Sequence, residues 1–487
     1  MRNRIYGLEV EFGCMPPDTD PFLSPDFVSA KTKECVFYRE GLGIVDIHYR
    51  GRDEPPGNGG FLFNGGRFYI DMGHVEYATP ECRGLFDLVA SDRAGEVIVQ
   101  RALDQLGLAS EGGFFKNNID HYTGATFGCH ENYLVRRDVP FSQVLLPAIL
   151  PFFVSRQIYA GAGRVGCHTD IFEYGGAEEG EVTYQISQRA DHIVTEIYQW
   201  IQFSRAIINT RDEPLADWGL YRRLHLLVGD SNMSEYATAL KVGTTALMLE
   251  LLEERIIPEV KILDPVQAIR DISRDLDYKW VVQLEDGSFT TALEIQRQYL
   301  QLAEQNLRGK DEEGDWVLDE WRFVLDGLTH DPMSLMDRLD WVTKKWLLEA
   351  FIADEGLEWN DPWLQSLDLE YHNMNPEKGL YFDLRDRGLL RRLVDDEQVN
   401  SAIVNPPQDT RAKARSEVMR CLTGQKARYV IDWDSIYVED EKYLNLDDPF
   451  LTYEGEAKAF IEEVERPDDV GTFGAEKYPK DGPDKSS

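Results

Sequence analysis

The stretch NGGRFYIDMGHVEYATPEC, Asn64–Cys82, places unusual polar chemistry on one face of a predicted strand. Successive side chains of a strand point to opposite faces, so Arg67, Tyr69 and Asp71 share one face. The residues between them are apolar and can pack against a core. Glu76 follows closely in the chain. An arginine, a tyrosine and carboxylates together indicate a candidate site, although a solvated sheet face remains the alternative.

The first predicted strand, GLEVEFG (7–13), repeats this arrangement. Glu9 and Glu11 share one face, while the apolar residues share the other. Two neighbouring carboxylates repel each other, but they become useful beside Mg²⁺ because that ion prefers oxygen ligands. If the two acidic faces meet, they form a concave surface with Arg67 at its rim, which suits bidentate contact with phosphate. This combination indicates magnesium-dependent nucleotide chemistry, and a wet sheet face again remains the alternative.

The familiar motifs of nucleotide binding and hydrolysis are absent from the sequence. It contains no GxxxxGK[ST] loop, and no convincing GxGxxG opens a helix after a strand. The glycine-rich GAGRVG (161–166) is interpreted as an ordinary loop. Neither a GxSxG elbow nor an HExxH motif is present. An ATP site in this chain would therefore have to be lined by the sheet.

The overall composition restricts the class of protein. The 487 residues carry a net charge of −36, with 43% hydrophobic and 28% charged residues. This length predicts two or three domains, and the composition favours a folded chain with a large core. So acidic a chain repels nucleic acid and anionic membranes, and neither is expected as a main partner. No apolar run is expected to approach the roughly 20 residues that span a bilayer.

The cysteines indicate a reducing compartment. Six cysteines are scattered along the chain without a CxxC pair. The N-terminal MRNRIYGLEV does not resemble a signal peptide. Reduced thiols and a cytoplasmic location are therefore expected.

The order of patterns along the chain predicts an α+β fold, an antiparallel sheet with one face covered by helices. The first 140 residues contain short alternating runs bounded by Gly and Asn, which are typical of strands. The segment 16–60 is interpreted as irregular, apart from a short helix that opens at Ser24-Pro25. From Val144 onward, apolar residues recur at helical spacing. The predicted helices are Ser187–Arg205, Ser234–Arg255, Thr290–Leu307 and Thr343–Ala353.

Three regions are expected along the chain. Residues 1–404 form the predicted catalytic domain, and NPPQDTRAKARSEV (405–418) indicates a boundary followed by a new helix. A small C-terminal α+β domain is predicted over 405–466, with a strand in ARYVIDWDSIYVE (427–439). The tail 467–487 is rich in Pro, Gly, Asp and Lys and is predicted to be disordered.

Many short motifs follow one another in the order that one protein family has them. They are GLEVEFG, NGGRFYID, HVEYATPEC, DRAGE, FKNNID, GCHENYL, SRQIYAGAGRV, SQRADHI, INTRDEP, YRRLHLLVGDSNMSE, LKVGTTAL and NPPQDTRA. Together they resemble the Pup ligase/depupylase family, which is related to glutamine synthetase and the carboxylate-amine ligases. The resemblance covers Ile5 to Val438. It implies a glutamine-synthetase-like antiparallel sheet with one face covered by helices, plus a small C-terminal α+β domain.

The resemblance also implies a reaction and its partners. Pup is a ubiquitin-like protein modifier of prokaryotes. A ligase would use ATP and Mg²⁺ to phosphorylate the γ-carboxylate of the C-terminal glutamate of such a modifier. A lysine of a target protein would then attack, giving an isopeptide that marks the target for proteasomal degradation. The chain is expected to be a monomer whose groove receives the modifier as an amphipathic helix. Pup-type modifiers are acidic, so the resemblance requires a local basic and apolar track. RRLH (222–225) and LRDRGLLRRL (384–393) are the candidates, with a solvated helix face as the favoured alternative.

The site roles are carried over from the matching motifs. The resemblance implies a catalytic aspartate at Asp71, metal ligands at Glu9, Tyr69 and Glu76, and ATP contacts at Arg67, Thr79 and Trp433. Pocket residues of lower rank, for which structural hydrogen bonding is an equal alternative, are Glu11, His130, Asn132, Arg211 and Arg223. For Trp433, a place in the core of the small domain is the alternative. Asp71 would act as general base towards the lysine amine, and nearby anions such as Glu76 would raise its pKa.

The motifs favour the ligase over the depupylase, which hydrolyses the isopeptide and deamidates a C-terminal glutamine of Pup. The ligase-like features are the length of the segment 16–60 and the motifs EFG, DRAGE, GCHENYL, DSNMSE and SRAIINTRDEP. In contrast, Asp71 and Glu76 are five residues apart, a depupylase-like spacing, and EKGLY and GRVG are also depupylase-like. The depupylase therefore remains the alternative. A small-molecule carboxylate-amine ligase and a non-catalytic binding protein are the rival classes.

Overall fold

The computed structural model describes residues 1, 3–17, 23–48, 55–120, 124–167, 182–199, 205–439 and 441–465. In this part of the chain the strands are β1 (Tyr6–Met15), β2 (Gly43–Val45), β3 (Gly59–Leu62), β4 (Arg67–Asp71), β5 (His74–Ala78), β6 (Gly113–Phe115), β7 (Cys129–Arg136), β8 (Arg164–Cys167), β9 (Val182–Gln185), β10 (Thr195–Tyr198), β11 (Ala206–Asn209), β12 (Tyr221–Leu226), β13 (Val281–Gln283), β14 (Phe289–Thr291), β15 (Tyr429–Ile431), β16 (Ser435–Val438) and β17 (Lys442–Asn445). The α-helices are α1 (Pro25–Glu34), α2 (Leu85–Gln105), α3 (Leu146–Ala160), α4 (Glu235–Glu253), α5 (Pro265–Arg274), α6 (Ala292–Leu307), α7 (Glu312–His330), α8 (Asp340–Glu355), α9 (Pro362–Tyr371), α10 (Leu380–Asp386), α11 (Asp396–Val404), α12 (Ala412–Leu422) and α13 (Glu454–Glu465).

A large sheet organises the molecule, with ten strands among the described residues. Its order is β10-β11-β12-β7-β1-β5-β4-β3-β2, and β6 pairs with the end of β1. Neighbouring strands are antiparallel except β10 and β11, which are parallel. The strands that carry most of the predicted site residues, β12, β7, β1, β5 and β4, therefore lie side by side in the middle of the sheet.

The two faces of the sheet differ in character. Leu8, Val10 and Phe12 of β1 are buried and pack in apolar clusters that include residues of α2. Burial of each such side chain stabilises the fold by about 1.5–3 kcal/mol. Glu9 and Glu11 point to the opposite face and are partly exposed. The predicted α+β fold class, an antiparallel sheet with helices against one face, is confirmed.

Three of the four predicted helices are confirmed, as α4, α6 and α8. The helix predicted over Ser187–Arg205 is wrong within the described part of that range, where a short 3-10 turn at Ala190–His192 precedes β10. Its apolar residues do not share one buried side, because Ile193 is fully buried whereas Val194 and Ile197 are exposed. Such β-branched residues favour an extended strand over a helix.

The segment 16–60 contains more regular structure than its sequence predicts. The helix expected at Ser24-Pro25 is confirmed as α1, and the Ser24 hydroxyl accepts a hydrogen bond from the Phe27 amide as its N-terminal cap. The interpretation of the remainder as irregular is wrong for the described residues, because β2 and the beginning of β3 lie in this segment.

The apolar stretch Phe141–Ala160 corrects another expectation. Its 20 residues of continuous helix meet the length and composition of a membrane span. The expectation that no apolar run approaches that length is therefore wrong. However, 67% of its most apolar window is buried inside the protein, where α3 packs against α4, α5 and α6. Such burial is typical of a helix in the core of a folded protein.

The C-terminal unit is built on the small antiparallel sheet β15-β16-β17, which packs with α12 and α13. The single strand predicted in 427–439 is wrong, because this stretch forms a hairpin with Trp433 in its turn. Phe61 and Phe63 of the large unit belong to the same apolar cluster as the C-terminal residues. The boundary at 404/405 stays a prediction, and the tail predicted over 467–487 lies outside the described residues.

The turn between β4 and β5 holds a residue in a strained backbone conformation. Met72 has a φ of 46°, in the left-handed region that glycine adopts without strain. Its side chain is 76% exposed, so little packing depends on it. We expect Met72→Gly to raise the free energy of unfolding by about 0.5–1 kcal/mol, as measured by urea denaturation. Met15→Gly, in a strand with ordinary φ, is the control and should lower stability.

Candidate active site on the polar face of the sheet

Strand pairing aligns the predicted residues across the polar face. Glu9 lies opposite His130 on β7, and Glu11 lies opposite Glu76 on β5. On the far side of β5, Tyr69 lies opposite the same Glu76. Directly opposed residues have their side chains on one face of the sheet. The register therefore gathers residues that are far apart in the sequence.

Three carboxylates form the centre of the candidate site. Oxygen atoms of Glu11, Asp71 and Glu76 all lie within 4.8 Å of one another. The Tyr69 hydroxyl donates a hydrogen bond to the buried carboxylate of Glu76. Burial, followed by the charges of Glu11, Glu9 and Asp71, raises the pKa of Glu76 well above its ordinary value. A divalent cation would relieve this repulsion, so these oxygen donors fit Mg²⁺.

Asp71 lies at the end of β4, immediately before the turn. Burial raises its pKa, Glu11 adds to this rise, and His130 partly opposes it. The predicted rise in the pKa of Asp71 is therefore confirmed. Its main causes are burial and the charge of Glu11, whereas the sequence indicated the charge of Glu76. A raised pKa makes the aspartate a better base near neutral pH.

Glu9 belongs to a second cluster beside the first. Its carboxylate lies 3.5 Å from His130 Nδ1, 3.6 Å from His225 Nε2 and 3.5 Å from Arg223 Nη2. Although burial would raise the pKa of Glu9, Arg223 and the two histidines hold it well below its ordinary value. Glu9 thus shares the polar face with Glu76, but its own oxygens contact basic groups from β7 and β12.

His225 is a site residue that sequence reasoning missed. It lies two residues after Arg223 on β12, so both side chains share the polar face. Burial and the charge of Arg223 lower its pKa well below the ordinary histidine value. The alternation of YRRLHL carried this signal, but nothing in the sequence showed that the face of β12 continues that of β1.

An open pocket of about 130 Å³ adjoins the second cluster, because Glu9 and Arg223 line it. Its wall includes Thr79, Asn132, Arg223 and Trp433, four of the residues predicted for the nucleotide or glutamate pocket, and Glu9, which was predicted as a metal ligand. Apolar residues, among them Leu8 and Pro449, complete the wall. A pocket with apolar walls and a few polar groups is the usual form of a small-molecule site.

Thr79 and Asn132 also have structural partners. The Thr79 hydroxyl accepts a hydrogen bond from the Leu8 amide at 3.0 Å, and Asn132 Oδ1 accepts one from Arg223 Nε at 2.7 Å. These bonds connect neighbouring strands at the floor of the pocket. Both residues therefore line the pocket and stabilise the sheet that forms it.

Arg67 and Arg211 have different surroundings. Arg67 is nearly buried, and its Nη2 lies 2.8 Å from Asp46 Oδ2, a partner that no sequence pattern indicated. Its guanidinium lies 4.7 Å from the centroid of the Tyr69 ring. Arg211, in contrast, is exposed and pairs with Glu213 at 2.8 Å. The structure therefore places Arg67 among the site residues and Arg211 at the periphery.

Comparison with known proteins decides the family. A family model described as Pup-ligase protein matches residues 4–437. The chain belongs to the Pup-ligase family. This family member is 38% identical over 481 residues to the Pup–protein ligase of Kineococcus radiotolerans, covering 95% of this chain and 100% of the relative. It is 39% identical over 467 residues to the Pup deamidase/depupylase of Mycolicibacterium smegmatis, covering 89% of this chain and 91% of the relative.

Solved structures of the Pup-ligase family share the fold. The crystal structure of the complex between Pup and its ligase PafA matches with a TM-score of 0.81 at 34% identity, covering 95% of this chain and 91% of that chain. The structure of PafA in complex with ADP matches with a TM-score of 0.74 at 34% identity, covering 91% of this chain and 94% of that chain. The same fold has therefore been observed in PafA, both in complex with Pup and in complex with ADP.

A buried arginine, Arg189, is another site residue that the sequence patterns did not indicate. Arg189 donates from Nη1 to the carbonyl oxygen of Phe127 at 2.6 Å, while its Nε and Nη2 have no hydrogen-bond partner among the described residues. Burial, together with Arg205, lowers its pKa to about 10, and Glu11 opposes that change. SQRADHI contributed to the family resemblance, but no local pattern assigned a role to its arginine.

Glu81, the last acid of the opening stretch, lies in a separate structural cluster. Its carboxylate accepts hydrogen bonds from Arg411 Nε at 2.7 Å and from both terminal nitrogens of Arg415. Although burial would raise the pKa of Glu81, the guanidinium groups of Arg415 and Arg411 lower it to about 2. The cluster joins the end of β5 to the beginning of α12.

These ion pairs make the stability of the family member depend on pH. The folded pKa of Glu81 lies below the ordinary 4.5, so its stabilising effect is complete above that pH and is lost as the pH falls towards 2. We expect Glu81→Gln to lower the free energy of unfolding by about 3 kcal/mol at pH 7, and this deficit to shrink by about 2 kcal/mol at pH 3. Urea denaturation of the wild type and of Glu81→Gln at pH 7 and pH 3 measures this deficit. Glu454→Gln, at an exposed ion pair with Lys413, should show little deficit at either pH, and a pH-independent deficit for Glu81→Gln would contradict the prediction.

Proposed function

We propose that this chain is an ATP-dependent ligase that joins the C-terminal glutamate of a Pup-like modifier to a lysine of a target protein. The observation that carries the proposal is an open pocket lined by Glu9, which shares β1 and its polar face with Glu11 of the acid cluster Glu11, Asp71 and Glu76. A pocket next to clustered carboxylates suits phosphoryl transfer, which depends on positioning and charge stabilisation. Relatives named Pup–protein ligase support the same reaction.

ATP and Mg²⁺ are the proposed cosubstrate and cofactor. The relative bound to ADP supports nucleotide binding, and the pocket wall offers Thr79, Trp433 and Arg223 for it. Glu11 and Glu76 of the acid cluster would hold the metal, with the hydroxyl of Tyr69 beside Glu76. Glu9, the other ligand predicted from the sequence, contacts Arg223 and two histidines in the neighbouring cluster. When bound, Mg²⁺ would neutralise negative charge on the phosphates and carboxylates of the site.

The proposed reaction has two steps. A γ-carboxylate oxygen of the modifier attacks the γ-phosphorus of ATP, ADP leaves, and an acyl phosphate forms. Arg67 would stabilise the charge on the transferring group. The lysine nitrogen of the target then attacks the acyl carbon and phosphate leaves, while Asp71 takes the proton from the amine. Arg189, whose Nε and Nη2 have no hydrogen-bond partner in the part of the chain that the structure describes, would orient the carboxylate of the modifier.

The partners and setting follow from this reaction. The complex of Pup with PafA supports a Pup-like modifier as the first substrate. The proposal also includes lysine-bearing target proteins, which the modification marks for proteasomal degradation. It further includes a monomeric state and a cytoplasmic location. The LRDRGLLRRL stretch (384–393) does not supply a free basic track for the modifier, because its arginines pair with acids: Arg385 with Asp386, Arg387 with Asp383, Arg391 with Asp337 and Arg392 with Asp396.

Depupylation is the second candidate function, and one structural detail favours it. The five-residue spacing between Asp71 and Glu76 produces a two-residue turn, Met72-Gly73, between β4 and β5. This spacing resembles that of the depupylase, and a relative with that name matches this chain over most of its length. In that reaction, Asp71 would assist attack on the isopeptide carbonyl at the same site.

One experiment separates these functions. The purified protein is mixed with Mg-ATP, a Pup-like modifier ending in glutamate and a lysine-bearing target, and intact masses are followed. An increase in target mass by one modifier supports the ligase. Release of modifier from a preformed conjugate, without new conjugate, supports the depupylase. ATP turnover with free amino acids alone would indicate a small-molecule ligase, and failure to bind Mg-ATP would indicate a non-catalytic protein.

A further inference from the structure

The pocket lined by Glu9 is built by both units of the chain. Its wall combines Thr79 and Arg223 of the large sheet with Arg411, Trp433 and Pro449 of the C-terminal unit. Trp433 lies in the turn between β15 and β16, not within a strand. Its place in the wall therefore depends on contacts that hold this turn against the large sheet.

Arg415 of α12 makes those contacts from a fully buried position. Its guanidinium donates to the carbonyl oxygen of Trp433 at 2.8 Å and to that of Gly65 at 2.7 Å. It also donates two hydrogen bonds to the carboxylate of Glu81. Charge-assisted bonds of this kind are strong and directional. One side chain thus ties the Trp433 turn to the loop before β4 and to the chain after β5.

The same guanidinium supports the ring of Trp433. It lies 4.9 Å from the centroid of that ring and 5.1 Å from the centroid of Phe61. The rings of Phe61 and Trp433 meet edge to face, with centroids 5.0 Å apart. Phe61 also contacts Arg67, whose guanidinium lies 5.9 Å from its ring centroid. A continuous series of contacts therefore runs from α12 through the aromatic pair to Arg67, the arginine proposed above to stabilise the transferring group.

We propose that Arg415 is a positioning residue for the nucleotide and that it acts through Trp433. Arg415 is not among the described residues that line the pocket. Its influence on a bound nucleotide must therefore pass through the turn and ring that it holds. This inference rests on the proposed function, because it takes Trp433 as a wall of the ATP site.

The conservative variant Arg415→Lys tests the inference. Lysine keeps the positive charge beside Glu81 but lacks the planar fork that reaches Trp433 and Gly65 together. We expect the Kd for ADP in Mg²⁺, measured by calorimetry, to rise about tenfold. The KM for ATP should rise by a similar factor. The kcat at saturating ATP should stay within about twofold of the wild type, because Asp71 and its neighbours are unchanged.

A double-variant comparison shows whether the effect passes through Trp433. Trp433→Leu alone should weaken ADP binding, and adding Arg415→Lys to it should cause little further loss, because both changes act on one contact. Arg420→Lys is the matched control. Arg420 lies on the same helix, is exposed, and contacts Phe63 and the carbonyl oxygen of Val404, so its replacement should leave the Kd unchanged.

The outcomes separate the inference from the function on which it rests. A wild-type protein that does not bind ADP or ATP would overturn the proposed function itself. Normal nucleotide affinity in Arg415→Lys, or fully additive losses in the double variant, would overturn the positioning role. If Arg415→Lys does not fold, hydrogen exchange of the wild type with and without ADP tests the positioning role instead. Amides of the Trp433 turn and of the first turns of α12 should then exchange more slowly with ADP bound, and unchanged exchange would overturn the inference.

Discussion

Replacing Asp71 by asparagine is expected to lower kcat for conjugation by about 10²–10⁴-fold, the usual contribution of general acid–base catalysis. Asparagine has nearly the same shape but cannot accept the proton of the lysine amine. The position of Asp71 beside Glu11 and Glu76 supports this role, because burial and neighbouring charge raise its pKa. Nucleotide affinity should change little, since Asp71 is not among the described residues that line the pocket.

Single-turnover conjugation and calorimetric titration with Mg-ATP together measure this outcome. Asp26→Asn is the matched control, because Asp26 is an exposed acid in the first turn of α1 that lies against Gly73 of the same β4–β5 turn. It should conjugate at the wild-type rate. Normal amounts of conjugate from Asp71→Asn would show that a different group accepts the proton.

Replacing Glu131 by glutamine is expected to lower the free energy of unfolding by about 3–5 kcal/mol, the usual cost of breaking a buried ion pair. Glu131 lies on β7 but points to the helix-covered face, where it is fully buried and pairs with both terminal nitrogens of Arg156. The Tyr133 hydroxyl also donates to it. Glutamine would leave the guanidinium of Arg156 buried without a counter-charge. Such a loss is a large part of the 5–15 kcal/mol that typically separates folded from unfolded states.

Urea denaturation, followed by circular dichroism, measures the effect. Arg136→Gln is the control on the same strand, because the ion pair of Arg136 with Asp138 has side-chain exposures of 49% and 57%. Removing it should change stability by about 0.5 kcal/mol or less. If Glu131→Gln were equally mild, the pair with Arg156 would not be a main support of the sheet.

GCHENYL shows how far strand alternation can predict a site. His130 and Asn132 alternate with Glu131, so local geometry alone separates them onto opposite faces. The same rule assigned Arg67, Tyr69 and Asp71 to one face, and the register shows them there. Nothing local indicated that Glu131 would meet Arg156, because the two residues are 25 positions apart and their contact depends on how α3 packs against the sheet.

The residues that sequence reasoning missed share one physical cause. Asp46 pairs with Arg67 across β2, β3 and β4, His225 reaches Glu9 across β7, and Arg189 enters from an irregular loop. Each contact depends on which segments become neighbours in space. The wrong helix over Ser187–Arg205 has a different origin, because its β-branched residues favour an extended strand and its apolar residues are not buried on one side.

By itself, the sequence determined the alternation of acidic and apolar faces in β1 and β4, the helices α4, α6 and α8, and the family. These features depend on backbone geometry and on neighbouring residues, which the chain carries locally. Only the tertiary structure decided that Glu11 joins Asp71 and Glu76, while Glu9 contacts histidines and Arg223. Strand order and register are set by packing between distant segments, and they determine which charges share a cluster.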